Sequence, residues 1–187
     1  FNTFSIFKPD FAAGIFYSYS DVNASKGDFN GKNVNIGMSV NHITSPDYSF
    51  MEQYFDNLAF RYLIHTNSSF AIEGTYINIQ PSGFIAYQRK ALEFLLGSYF
   101  RYNLKEISKY APFSKGAALG VGIHYRVGDA IIPGVLLEIG SLAIGMSYDV
   151  NISTLTTVSN GRGGFEISIR YISPNPFANE KHQPRFY

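Results

Sequence analysis

The stretch Phe165-Glu166-Ile167-Ser168-Ile169-Arg170-Tyr171 alternates apolar and polar residues without one error, and no other feature constrains the fold of this chain as tightly. Successive side chains of a strand point to opposite faces, so Phe165, Ile167, Ile169 and Tyr171 share one face and Glu166, Ser168 and Arg170 the other. An apolar face ending in an aromatic, backed by a charged face, suits a strand with lipid on one side and a polar lumen on the other. The Gly163-Gly164 pair in front of it reads as a turn.

The same period of two recurs along the chain. Phe11, Ala13, Ile15, Tyr17 and Tyr19 form one apolar row, and Val34, Ile36, Met38 and Val40 alternate with Asn33, Asn35, Gly37, Ser39 and Asn41. A third strand sets Leu58, Phe60, Tyr62 and Ile64 against Arg61 and His65. Asn67-Ser68-Ser69 reads as a polar turn, followed by a fourth strand with Phe70, Ile72 and Tyr76 opposite Glu73 and Thr75. Gln80-Pro81-Ser82-Gly83 breaks the pattern, and a fifth strand runs over 91–102, with Glu93, Gly97 and Arg101 on its polar face. The charged, proline-containing stretch 103–115 reads as a long loop. Strand six (117–127) sets Leu119, Val121, Ile123, Tyr125 and Val127 against Gly120, Gly122, His124 and Arg126. Strand seven (131–139) is more hydrophobic, and Pro133 implies a bulge or a rim position there. Strand eight alternates Leu142, Ile144, Met146, Tyr148 and Val150 with Ala143, Gly145, Ser147 and Asp149, and a loop over 154–164 leads into the final strand. About nine strands of roughly 9 to 12 residues match the length that a tilted strand needs to cross a bilayer.

Composition supports this reading. With 17 Phe, 14 Tyr and 17 Gly spread through strand-like runs, aromatics fall at strand ends and small residues on the polar face. Mean hydropathy is near zero, as alternation dictates. A net charge of +1 and the lack of a basic patch interleaved with aromatics argue against a nucleic-acid partner. The chain has no Cys, which excludes disulfides and thiolate metal sites. No apolar run reaches the roughly 18 to 20 residues of a membrane helix, and no export signal opens the sequence. An odd strand count and an abrupt start at Phe1 lead us to expect a portion of a longer chain.

Four segments in order carry a family resemblance: 41–46 (NHITSP), 124–130 (HYRVGDA), 145–155 (GMSYDVNISTL) and 163–171 (GGFEISIRY). Together they resemble the PorP/SprF family of type IX secretion system membrane proteins of Bacteroidota, over nearly the whole chain. The chain departs from the family at Phe165, where a His is usual, and in lacking counterparts of the family's first strands. The resemblance implies an antiparallel transmembrane β-barrel of the outer membrane, all-β, with this chain the C-terminal part of a larger, about 14-stranded barrel. Residues 1–172 would belong to the barrel and 173–187 to a periplasmic tail. It also implies a non-enzymatic role in exporting or anchoring cell-surface proteins, gliding adhesins among them. The implied partners are outer-membrane lipid, the C-terminal domains of secreted proteins, and periplasmic secretion components. A porin or small-molecule transporter is the rival reading, and an outer-membrane hydrolase a third.

The inward faces would carry Arg61, His65, Glu73, Glu93, Arg101, His124, Arg126, Glu138, Asp149, Glu166 and Arg170. Such a mixed set is either a catalytic or ion-selective constellation or a self-neutralising network that stiffens the wall, because buried charges must be paired or solvated. His42, His65, His124 and His182 lack the spacing of metal ligands. No Gly-x-Ser-x-Gly elbow supports a Ser nucleophile, and the glycine-rich 160–164 leads into a strand rather than a helix, so it is not a phosphate cradle. No cofactor is expected. Asp129 and Asp149 are either partner contacts at the rim or turn and lumen structure. Phe177, Lys181, Arg185, Phe186 and Tyr187 of the tail are either a recognised peptide or a solvated end.

Overall fold

Period-two alternation becomes one antiparallel sheet of nine strands in chain order, β1-β2-β3-β4-β5-β6-β7-β8-β9. They are β1 (Ala13–Val22), β2 (Gly31–Asn41), β3 (Arg61–Ala71), β4 (Ile77–Gln88), β5 (Ala91–Lys105), β6 (Ala117–Arg126), β7 (Ala130–Ile139), β8 (Leu142–Asn151) and β9 (Arg162–Tyr171). The structure is a computed structural model that describes residues 8–22, 31–49, 56–105, 116–154 and 161–172. Among these there is no helix.

Residues opposite one another in an antiparallel ladder share a face, so each face can be followed across the sheet. One row runs Gly37, His65, Phe84, Leu95, Arg126, Ala130, Asn151. The adjacent row, on the other face, runs Ile36, Thr66, Gly83, Leu96, Tyr125, Ile131, Val150. The second face is apolar through most of every strand. Its mid-strand hydroxyls are Thr66, Ser68 and Ser98; Thr66 donates to the Asn35 carbonyl at 3.1 Å and Ser98 to the Tyr99 carbonyl at 3.4 Å.

Burial is reversed relative to a water-soluble domain. Ile15 is 82% exposed and Ile169 73%, far beyond what a monomer in water presents. The buried apolar residues are Ala86, Ala118, Ala130 and Ala143, all on the polar face beneath longer neighbours. The polar face is the concave one: Asn67 of β3 and Ser168 of β9 line the same cleft. It is therefore the inner face, and the apolar face is outer. No ladder joins β1 to β9, so the nine strands form an open portion of a barrel wall.

Four sequence expectations are corrected. Asn67-Ser68-Ser69 is not a turn but the interior of β3; Asn67 and Ser69 are polar because they face inward. The turn comes at 72–76, where Gly74 has φ +72° and the Thr75 amide donates to the Ile72 carbonyl at 3.2 Å. The segment 70–76 is thus the end of β3 and a turn, which removes Glu73 from the inner face. Gln80-Pro81-Ser82-Gly83 lies within β4. Its ladder to β3 lapses between the Asn67–Ser82 and Phe70–Ile79 pairs, at the residue with no N–H to donate. Gly163-Gly164 belongs to β9 and not to the turn, which uses Gly161 at φ +76°. The β8–β9 register shifts beside Asp149, whose carbonyl lies where a side chain on Gly163 would stand. Pro133 sits within β7, where the β7–β8 ladder lapses between Ile131–Val150 and Gly134–Ser147.

The assignment of faces yields a test. Ile123→Lys, at mid-strand on the outer face of β6, is expected to destabilise the full-length protein folded in lipid vesicles by about 2–4 kcal/mol. Ser147→Lys on the inner face of β8 should change stability far less. Urea unfolding of both variants measures this, and equal losses would overturn the face assignment.

Candidate functional site at the inner wall and its rim

The inner wall is built from rings laid on glycines. The Tyr99 ring of β5 extends over β6 and β7, where a Cβ on Gly122 would come 2.5 Å from Cδ1 and one on Gly134 2.5 Å from Oη. His124 of β6 lies over Gly97 of β5, and His65 of β3 over Gly37 of β2. His65 also stacks on Phe16 with centroids 6.2 Å apart. Glycine is needed because the ring occupies the space of its missing Cβ. Tyr99 and His124 are 5.2 Å apart by centroid, and the Ser82 hydroxyl lies 2.9 Å from His124 Nε2.

Charges form two groups at opposite ends of the strands. At one end, Arg101 Nε donates to Glu138 Oε2 at 2.6 Å and Arg170 Nη2 lies 3.9 Å from Glu138 Oε1. Arg101 also bonds the Asn103 amide oxygen. Glu138 is buried, its side chain 7% exposed. At the other end, Arg126 Nη1 lies 3.0 Å from both Asp129 and Asp149, and its Nε lies 4.0 Å from Glu93. The Asp129 carbonyl accepts the amides of Ile152 at 2.8 Å and Ser153 at 3.1 Å, tying the β6–β7 turn to the end of β8. Glu166 stands opposite Ser147 on the inner face, and Arg61 opposite Gln88. Glu73 is in the β3–β4 turn, at the Glu138 end of the strands. Phe177, Lys181, Arg185, Phe186 and Tyr187 lie outside the described residues.

The Asp129 end also carries a set of contacts that the sequence reading did not single out. Between β2 and β3, Asp47 and Asn57 form an isolated bridge, and Asp47 accepts the amides of Ser49 and Asp56 at 3.0 Å each. Lys8 pairs with Asp47 at 3.3 Å, and His42 with Asp10 at 2.6 Å. From the β4–β5 turn, Arg89 reaches Asp56 and the Asn57 carbonyl, each at 2.7 Å. The backbone amides of Ser49 and Asp56 hold the Asp47 carboxyl below its ordinary pKa. The Arg89 guanidinium and the Tyr48 hydroxyl do the same for Asp56, which in turn raises the Tyr48 phenol. The available signal was Pro46-Asp47, a turn-initiating pair whose carboxylate bonds the backbone two residues on.

Ser82 and His124 have nucleophile–base spacing. Among the described residues, however, no hydrogen bond orients the other ring nitrogen, as a triad requires. Nor is any group of three or more His, Asp or Glu residues among them arranged to hold a metal ion. The wall is equipped for hydrogen bonding and ion pairing. All four sequence segments of the family resemblance reach the Asp129 end: the exit of β2, the β6–β7 turn, the exit of β8 and the entry to β9.

Comparison with known proteins agrees with that resemblance. The sequence model of one family, described as type IX secretion system membrane protein PorP/SprF, matches residues 2–171. No curated protein and no solved structure matches the chain.

Two outcomes test the electrostatics. Glu138→Gln leaves Arg101 without its buried partner and is expected to cost about 3 kcal/mol in urea unfolding, whereas Arg89→Ala, at an exposed pair, should cost far less. The connection between β2 and β3 should also loosen in acid. Its carboxyls have lowered folded pKa values, so their contribution is complete above the ordinary carboxylate range and is lost as pH falls through the folded values. Hydrogen-exchange protection of the Ser49 and Asp56 amides should therefore hold at about pH 6 and fall by about pH 2. Unchanged protection would remove Asp47 and Asp56 from that role.

Proposed function

This chain belongs to the PorP/SprF family of type IX secretion system membrane proteins, and on that premise we propose that it works in the outer membrane as a docking component for secreted proteins. In this reading it helps to export or anchor particular cell-surface proteins, gliding adhesins included, by binding their C-terminal domains and the periplasmic machinery. The family match over residues 2–171 carries the proposal. A sheet with an apolar outer face and a polar inner face supports a lipid-embedded barrel wall. Residues 1–172 are assigned to that wall and 173–187 to a periplasmic tail.

Orientation follows from the tail. It leaves β9 at the Glu138 end, which is then periplasmic, so the Asp129 end faces outward. The long connection between β2 and β3, residues 42–60, supports this, since the longer loops of outer-membrane barrels are extracellular. Asp129 and the rim around it are the proposed cargo contact, and Phe177, Arg185, Phe186 and Tyr187 the contact with periplasmic components. The role is non-enzymatic: the barrel holds partners, and the Arg126 and Arg101 networks keep the wall rigid while it does so.

The test is capture of the full-length protein from native outer membrane in mild detergent, followed by mass spectrometry. A secreted protein retained through its C-terminal domain, together with periplasmic secretion components, is the expected result. Asp129→Lys should reduce recovery of the secreted protein, and removal of 173–187 recovery of the periplasmic components. A barrel that comes alone and conducts ions when reconstituted would replace this reading with a porin.

A further inference from the structure

The inner face is divided by chemistry. Strands β2 to β4 turn neutral amides and hydroxyls inward along most of their length, among them Asn33, Asn35, Asn67, Gln80 and Ser82, with Arg61 at the Asp129 end of β3 the charged exception, whereas β5 to β9 carry the ion-paired residues. Where the halves meet lies a cleft of about 380 Å³, lined from the first half by Asn67, Gln80 and Ser82 and from the second by Tyr99, Ser147 and Ser168. That volume lies within the range of about 300–1,000 Å³ typical of small-molecule sites.

Three properties of the cleft specify its ligand. Tyr99 lies along the wall over Gly122 and Gly134, so the ring forms part of a floor instead of dividing the space. An aromatic ring of this kind offers an apolar face with a polar hydroxyl at its tip. The amides and hydroxyls around it both donate and accept, which matches a ligand whose own groups do both. Two charged side chains line the cleft, Glu138 and Arg170; Glu138 is bonded to Arg101 at 2.6 Å and Arg170 lies 3.9 Å from Glu138, so both are partnered within the wall and the remaining polar lining is neutral.

We propose that this cleft binds a neutral saccharide unit, with one pyranose face on the Tyr99 ring and its hydroxyls bonded to Asn67, Gln80, Ser147 and Ser168. A pyranose combines an apolar C–H face with equatorial hydroxyls that donate and accept, which is the complement of this lining. An extended peptide would also use the amides, but the ring floor and a volume of about 380 Å³ favour a compact ligand. The site adjoins the Glu138 group and is separate from the proposed contacts at the Asp129 rim and the tail.

Calorimetric titration of the full-length protein in detergent tests this, using maltotriose, chitotriose and a capped Gly/Ser peptide as probes. Saturable binding of at least one of the two sugars is expected, weakened about tenfold by Gln80→Leu through loss of its hydrogen bonds. Tyr99→Phe keeps the ring floor and should bind nearly as well as the parent, and Asp56→Asn, far from the cleft, should not alter affinity. Heat-modifiable migration on gels identifies any variant that fails to fold. Absence of saturable binding by both sugars in the folded parent overturns the proposal, as does binding of the peptide alone or sugar binding insensitive to Gln80→Leu. Because capture of secretion partners is measured separately in native membranes, failure here leaves the docking reading intact, and the reverse also holds.

Discussion

In hydrocarbon no water is present to satisfy a backbone N–H or C=O, and each one left unpaired costs several kcal/mol. Every feature of this sheet answers to that requirement. Neighbouring strands pair along most of their lengths, and the ladder lapses in β4 and β7 where proline has no N–H to give. Two of the three outer hydroxyls at mid-strand obey the same rule, since Thr66 and Ser98 hand their protons to backbone carbonyls. With the backbone satisfied within the sheet, side chains are free to be wholly apolar on one face.

The inner face then has to do what a core does elsewhere. Large apolar side chains are turned to the outer face, so rigidity comes from rings seated on glycines and from ion pairs that reach past a strand. Arg101 on β5 bonds Glu138 on β7 across β6, where the intervening positions are Gly120 and Ala118. Arg126 on β6 bonds Asp149 on β8 across β7, where Ala130 opposes it. In each case a small residue on the middle strand leaves the path open. Glycine and alanine are therefore the complement of the long polar side chains, and the two sets are placed together.

This explains what could be read from the sequence. The faces were legible, because a period of two assigns every residue of a strand once one is assigned, and β2, β5, β6, β8 and β9 were located with their polar sides correct. Errors arose where inner-face residues have the composition of turns. Asn67-Ser68-Ser69 and Gln80-Pro81-Ser82-Gly83 are polar, small or proline-containing, yet they are lumen wall and lipid face within β3 and β4. The polar residues of the wall could be named but not paired, since pairs two strands apart depend on a register fixed by turn lengths and bulges. The tether of the β2–β3 connection was illegible for a similar reason: Arg89 meets Asp56 only because a tight turn brings β4 back to β3.

The edges of the sheet set the terms for its completion. β1 and β9 run in the same direction, because seven strands lie between them in an antiparallel sheet. Pairing them directly would make a parallel seam, so a barrel with only antiparallel neighbours takes an odd number of further strands between them. Those strands must match two different edges. Beside β9 they meet Glu166 and Arg170 on the inner face, and beside β1 they meet Phe16 and Ser18, whose hydroxyl already bonds Asn35 at 2.6 Å. On the outer face both edges ask for the same thing, an apolar row continuous with Ile15 and Ile169. The completing strands should therefore carry charge on the inner side next to β9 and neutral polar residues next to β1, extending the division between charged and neutral halves around the ring.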